Sequence, residues 1–278
     1  MLVAFWGPTP GQTCTTSSML AVAAMLALDY PLKIAITHPV PRETLIERSM
    51  GQLRSQRGIS SSGDSGGMDA ILRLAECEML TPTTLRDHTE SVLKGRLDVL
   101  RGPTMNADDR LLMALPQLKS SASRYYDLFF IDVAAGTENL VTKQVLAQAD
   151  LIVVTLNQNV EWLERYFADV DKAQFPNSKK RKFCVSDFEP NSKLSMDRIK
   201  KQYKLHSSDL LGVVPHNVRL MDALNDGNLL DLLLRSMAVK KQMFVHDENL
   251  AFISSIRDIG KLLLRSLDLA PLEEVSLD

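Results

Sequence analysis

Short, unbroken apolar runs alternate along this chain with longer stretches in which apolar residues recur at helical spacing. Residues 1–6 form the first strand-like run. Gly7-Pro-Thr-Pro-Gly11 breaks it, because these residues cannot continue a ladder, and residues 13–28 then read as a helix. Further strands are predicted at 32–36, 97–100, 128–131, 151–155, 183–185 and 211–214. Helices are predicted at 42–54, 68–80, 109–123 (with a local break at Pro116), 140–149, 160–174, 196–205, 220–237 and 250–267. Strands that are apolar on both faces belong to a sheet covered by helices on both sides. The expected fold class is therefore α/β: one domain over 1–270, a mostly parallel seven- or eight-stranded sheet, and an acidic tail at 271–278.

Composition narrows the class. The chain has 278 residues, 45% apolar and 24% charged, which excludes wholesale disorder. With 32 Lys and Arg against 34 Asp and Glu, the net charge of -2 provides no global field for nucleic acid. Cys14, Cys77 and Cys184 lie too far apart for a CxxC pair or an iron–sulfur ligand set, and their odd number in a chain long enough to bury a core argues against a disulfide framework. The longest apolar run, 19–28, is about half of the ~20 residues that span a bilayer, and no secretory pattern surrounds it. A cytoplasmic protein with no transmembrane segment is expected. No Ser/His/Asp or zinc spacing is legible. Residues 58–67, mostly Gly and Ser, read either as a surface linker or as a loop beside a site.

Chemistry concentrates at the first turn, Gly7-Pro-Thr-Pro-Gly11-Gln12-Thr13-Cys14-Thr-Thr16. A glycine-bearing turn entering a helix aims backbone N–H groups and the helix dipole at an anion. Against GxxxxGK[ST], Gly11 and Thr13 match, Trp6 stands at the first glycine and Gln12 replaces the lysine. On this match alone, an ordinary strand-to-helix turn with a threonine-rich cap is the better account.

Two more stretches extend the pattern: Asp127-Leu-Phe-Phe-Ile-Asp132-Val-Ala-Ala-Gly136 with Ala149-Asp-Leu-Ile-Val-Val-Thr155, and Leu211-Gly-Val-Val-Pro215-His-Asn217 with Ala223-Leu-Asn-Asp-Gly227. Together, in this order, the three stretches resemble the MinD/ParA family of deviant-Walker P-loop ATPases, with Gly7 to Thr13 set against KGGxGKT. The resemblance implies a P-loop NTPase fold binding ATP and Mg2+. Backbone groups of Gly7, Gly11, Gln12, Thr13 and Cys14 would cradle phosphates, and Thr13 and Asp132 would hold the metal. Ser186, Asp187, Pro215 and Asn217 would line the purine. Asp132 has an alternative role as the cap of the turn after its strand.

The departures set the functional expectation. Gly7 and Gln12 stand where the family carries lysines, Pro10 lacks an N–H, and Ile36-Thr-His38-Pro-Val-Pro41 lacks the family's aspartates. His38 reads more simply as a strand-end cap than as a substitute base. A site without those charges should hydrolyse ATP weakly or not at all. The expected function is a degenerate, pseudo-ATPase member: a dimerising positioning scaffold for a pilus, secretion or conjugation assembly, akin to pilus-assembly proteins of the TadZ/CpaE type. An active partition ATPase is the alternative. The homodimer and the protein components of that assembly are the expected partners. The basic run at 179–182, with Arg198, Lys200, Lys201 and Lys204 after it, reads as a solvated edge in preference to a nonspecific DNA surface. The acidic residues of the tail would repel anionic lipid.

Overall fold

The computed structural model describes residues 1–50, 66–169, 181–238 and 248–269. Its strands are β1 (Leu2–Trp6), β2 (Ile34–Thr37), β3 (Glu90–Leu93), β4 (Leu97–Val99), β5 (Leu128–Asp132), β6 (Leu151–Leu156), β7 (Arg181–Phe188) and β8 (Leu210–Pro215). They form one eight-stranded sheet in the order β3-β4-β2-β5-β1-β6-β7-β8. Every pairing is parallel except that of β3 with β4.

The strands sort their side chains by parity. Val3, Phe5, Ile34, Ile36, Leu128 and Phe130 face one core, while Leu2, Ala4, Trp6, Ala35, Phe129 and Ile131 face the other. The helices are α1 (Thr15–Asp29), α2 (Leu45–Ser49), α3 (Met68–Glu76), α4 (Pro82–Asp87), α5 (Asp108–Tyr125), α6 (Leu140–Gln148), α7 (Val160–Asp169), α8 (Met196–Tyr203), α9 (Val218–Asp226), α10 (Leu229–Ala238) and α11 (Glu248–Ser266). Residues of α1, α9, α10 and α11 complete the first core, and those of α3, α5, α6, α7 and α8 the second. No described helix is long and apolar enough to cross a membrane.

Helix α1 decides where the site lies. From Ser18 to Asp29 every residue is buried. Its alanines permit close packing against the sheet and α11, where a Cβ on Gly260 would come 2.9 Å from Leu26 Cδ2. Asp29 at its end is buried but satisfied: Arg257 of α11 donates two bonds to it, both 2.9 Å.

The structure revises several sequence expectations. Helix α5 runs through Pro116 without a break. Pro116 lies on the exposed side, where water can reach the carbonyl it leaves unbonded, while Leu115 and Leu118 are buried. The 68–80 segment ends at Glu76, and Thr81 with Pro82 starts a separate helix through a capping box. The 220–237 segment is two helices because Gly227 takes a left-handed C-cap, φ 74°. Strand β3 was not expected. The 42–54 helix is observed as Leu45–Ser49, and its residues from 51 onward lie outside the described residues. So do 58–65 of the predicted loop, 179 and 180 of the basic run, and the 271–278 tail.

Arg257→Ala would leave the Asp29 carboxylate buried without its bidentate partner. Because Arg257 is a third exposed, solvent moderates the loss. We expect about 2 kcal/mol of destabilisation in urea unfolding, with the slope unchanged.

Candidate functional site

The carboxyl ends of β1, β2 and β5 meet at one level. Phe5 pairs with Asp132 and Thr37 with Ile131, so the β1–α1 turn, His38 and Asp132 are neighbours at the sheet edge. A cleft of about 800 Å³ opens there. Thr9 to Gly11 and Thr13 to Ser17 from the β1–α1 turn, Asp132 to Ala135 after β5, and Val40, Arg42 to Leu45, and Arg48 from the β2–α2 segment line it.

The turn is built by two left-handed residues, Gly11 (φ 69°) and Cys14 (φ 43°). Cys14 caps α1, and the first helical bond runs from Ser18 N to Cys14 O. The N–H groups of the first turn, Thr15 to Ser17, therefore lack helical acceptors and face the cleft end of the helix. Asn157 donates to Gln12 O at 2.7 Å and fixes the loop from β6. Gly136 N donates to Gly7 O at 3.2 Å, and the Trp6 indole donates to Gly136 O at 2.8 Å, tying the turn to the loop after β5.

The hydroxyls do not fall in the register expected from sequence. Thr16, not Thr13, donates to Asp132 Oδ2, at 2.5 Å. Thr13 is buried and folds back: its Oγ1 lies 3.0 Å from that of Thr15, which lies 2.6 Å from that of Thr155. A Cβ at Gly7 would come 2.1 Å from Thr13 Oγ1. The helix start and the Thr16–Asp132 contact move the loop register by three residues, so that Pro10 to Thr16 occupies the KGGxGKT frame. In that frame Pro10 and Thr15 stand at the lysine positions, and both lysines remain absent.

Burial pushes the Asp132 carboxyl up to about 6, opposed by the Thr16 bond and by His38 and reinforced by Glu47. Behind it, His38 Nε2 and Glu47 Oε1 form a fully buried contact of 2.5 Å. Glu47 Oε2 also accepts from Thr44 N and Thr44 Oγ1, both at 2.8 Å, and Gly102 N approaches Oε1 at 3.3 Å. Burial alone would raise the Glu47 carboxyl, but the His38 and Thr44 interactions outweigh it and hold the group at about 2. The Cys14 thiol is pushed up, by burial and then by Asp187.

The residues expected around a purine are divided. Ser186 is fully buried and accepts from Ser18 Oγ at 2.9 Å. Asn217 is also buried: it caps α9 by accepting from Leu220 N, and it donates to Asn249 Oδ1. Neither side chain is free to contact a base, because each is spent on packing one element against another. Asp187 (φ 52°) and His216 form an exposed pair at 2.7 Å beside half-buried Pro215. The donor set thus fits phosphate and a magnesium ion: first-turn N–H groups, the Thr16 hydroxyl and the Asp132 carboxylate. It does not fit base recognition by Ser186 or Asn217. Among the described residues no group of three or more His, Cys, Asp or Glu could hold a metal. Sequence reasoning missed Thr16, Arg42 and Arg48. Thr16 was visible in the run of threonines, whereas nothing local placed the arginines here.

No protein-family model matches the chain, and no curated protein matches it in sequence. Its fold is that of the MinD/ParA ATPases. A ParA family ATPase from Chlorobium tepidum TLS is similar at 16% identity over 94% of this chain and 98% of that one, with a TM-score of 0.66. The MinC:MinD cell division protein complex of Aquifex aeolicus is similar at 16% identity, over 100% and 98%, also with a TM-score of 0.66. The septum site-determining protein MinD of Pyrococcus horikoshii OT3, complexed with Mg-ADP, is similar at 12% identity, over 94% and 95%, with a TM-score of 0.63.

Two substitutions test this geometry. Gly7→Ala should lower the melting temperature, because its methyl meets the Thr13 hydroxyl and must displace it, at a cost of about 1–3 kcal/mol. Glu47 has its folded pKa depressed, so its contribution is complete above its ordinary value of 4.5 and fades as pH falls toward about 2. Glu47→Gln should therefore lose about 2–3 kcal/mol at pH 7, on the scale of that shift. Measured unfolding should then show less acid-dependent loss between pH 4.5 and 2 than in the unsubstituted chain.

Proposed function

We propose that this chain is a MinD/ParA-like nucleotide-binding protein of weak or absent ATPase activity, acting in the cytoplasm as a dimerising scaffold that positions a pilus, secretion or conjugation assembly. The observation that carries this reading is the cleft at the start of α1. There a helix N-terminus, a threonine hydroxyl and a carboxylate 2.5 Å from it are assembled around a turn with no lysine.

In this reading the first-turn N–H groups of α1 would hold phosphate oxygens, and Thr16 and Asp132 would hold Mg2+. The ion, when bound, neutralises phosphate charge. Asp132 is mostly ionised above its pKa of about 6, so the carboxylate is available to the ion at neutral pH. The Thr16 hydroxyl, now donating to Asp132, can turn a lone pair outward. Gly11 lines the cleft, and Gln12 O is already committed to Asn157. Transfer of a phosphoryl group depends on placing positive charge where charge develops. Neither Pro10 nor Thr15 supplies it, which supports slow turnover. Mg-ADP in the Pyrococcus horikoshii relative supports the ligand class, and the MinC:MinD complex supports a protein partner.

Exposed apolar side chains ring the same end of the sheet: Leu140, Val160, Val218 and Met221, all in the first turns of their helices. A dimer formed through such contacts would draw little of its stability from bridging nucleotide. Light scattering over a concentration series should therefore give the same dimer with and without MgATP. ATP turnover should be barely above background. A monomer that dimerises only with ATP, or ordinary turnover abolished by Asp132→Ala, would move the assignment to a working partition-type switch.

A further inference from the structure

The positive side chains of the cleft lie outside the β1–α1 turn, on the segment that follows β2. Arg42 and Arg48 both line the cleft, from the segment between β2 and the end of α2. Arg48 is exposed and has only a loose contact with Glu43, 3.9 Å. The Arg42 side chain has no hydrogen-bonding or ionic partner among the described residues. The backbone that carries them is fixed. Thr44 and Glu47 form a capping box on α2, and Glu47 is anchored in turn by buried His38. Arg48 follows Glu47 directly, so the same anchor sets where its stem begins. Lining the same cleft are Thr15, Thr16 and Ser17, whose N–H groups have no helical acceptor.

Building on the nucleotide reading above, we propose that Arg42 and Arg48 supply the positive charge for a bound polyphosphate, replacing the lysines missing from the turn. The phosphates are then clasped between the α1 N-terminus and the β2–α2 wall. Arginine suits this task because its planar fork donates two parallel bonds to a phosphate and stays charged at every accessible pH. The chemistry recognised is a chain of two or three phosphates. A nucleoside without phosphates offers these side chains nothing.

The test is calorimetric titration of the full chain at low salt, with magnesium, using ATP, tripolyphosphate and adenosine as separate ligands. Arg42→Gln and Arg48→Gln should each weaken ATP and tripolyphosphate binding by roughly tenfold, the scale of one charged hydrogen bond. The double variant should also show a flatter dependence of affinity on salt. Arg48→Lys should recover part of the loss. Glu43→Gln removes the carboxylate that competes for Arg48 and should tighten binding by about twofold to fivefold. Because it acts in the opposite direction, damage to the fold cannot mimic it. Unchanged melting temperatures would show that the exposed arginine variants remain folded. Undiminished ATP binding by the folded double variant would overturn this inference and leave the nucleotide reading standing. No binding of ATP or tripolyphosphate by the unsubstituted chain would overturn both.

Discussion

The burial of α1 is the constraint on which the rest of the structure depends. A helix enclosed from Ser18 to Asp29 can neither slide nor turn without exposing its apolar surface or unpairing Asp29 from Arg257. Its N-terminus is therefore fixed at the carboxyl edge of the sheet, beside the ends of β1 and β5. The turn that feeds it must adapt. Cys14 accepts a left-handed conformation that costs a non-glycine residue about 1 kcal/mol or more. Thr13 folds over Gly7, where no side chain could coexist with it.

The β2–α2 wall of the cleft is held by a buried ion pair as well as by apolar burial of Ile46 and Met50 in the first core. His38 and Glu47 are both removed from water, an arrangement that stabilises only if the remaining hydrogen-bonding capacity is met. On the carboxylate it is met, since Thr44 serves one oxygen twice while His38 and Gly102 share the other, whereas the buried His38 Nδ1 has no hydrogen-bond partner among the described residues. The same imidazole acts on Asp132 in the opposite sense to Glu47. Two carboxylates and one histidine thus form a single electrostatic unit connecting the cleft floor to α2. Helix α2 also packs against α9, so the wall that carries Arg42 and Arg48 rests on an element with exposed Val218 and Met221.

The sheet was legible because continuous apolar runs such as 128–131 and 151–155 admit little else when flanked by turns and helical spacing. Strand β3, with a half-buried pattern and an antiparallel edge position, lacked that signal. The site was legible in place but not in register. Thr13, Thr15 and Thr16 offer three hydroxyls after one glycine, and only the observed start of α1 selects Thr16. Ser186 and Asn217 misled for another reason. Polar residues at strand ends serve ligands or satisfy buried partners equally well by type, and these two were taken up by Ser18 and by the α9 cap. Arg42 and Arg48 reach the cleft through folding of β2 against β5, which no local pattern records.

If the cations are supplied by the β2–α2 wall in place of the turn, as proposed, binding and catalysis are affected unequally. One charge lost ~4 Å from a phosphate removes an attraction on the order of 4 kcal/mol at an effective dielectric near 20, before desolvation. Neutral hydroxyls and amides return only about 0.5–1.5 kcal/mol each, so another cation is the group of adequate size to restore affinity. Coulomb attraction falls slowly with distance, and a guanidinium on either wall can serve the ground state. Stabilising a phosphoryl-transfer transition state is more demanding, because the charge must sit against the oxygens where negative charge grows. A lysine carried by rigid α1 meets that demand by construction. Arginines on an exposed wall, one loosely engaged by Glu43, meet the requirement for binding far better than the requirement for positioning. On the proposal that Arg42 and Arg48 replace the lysines, the same substitution of one wall for another would account for a site that binds phosphate while its chemistry is weakened.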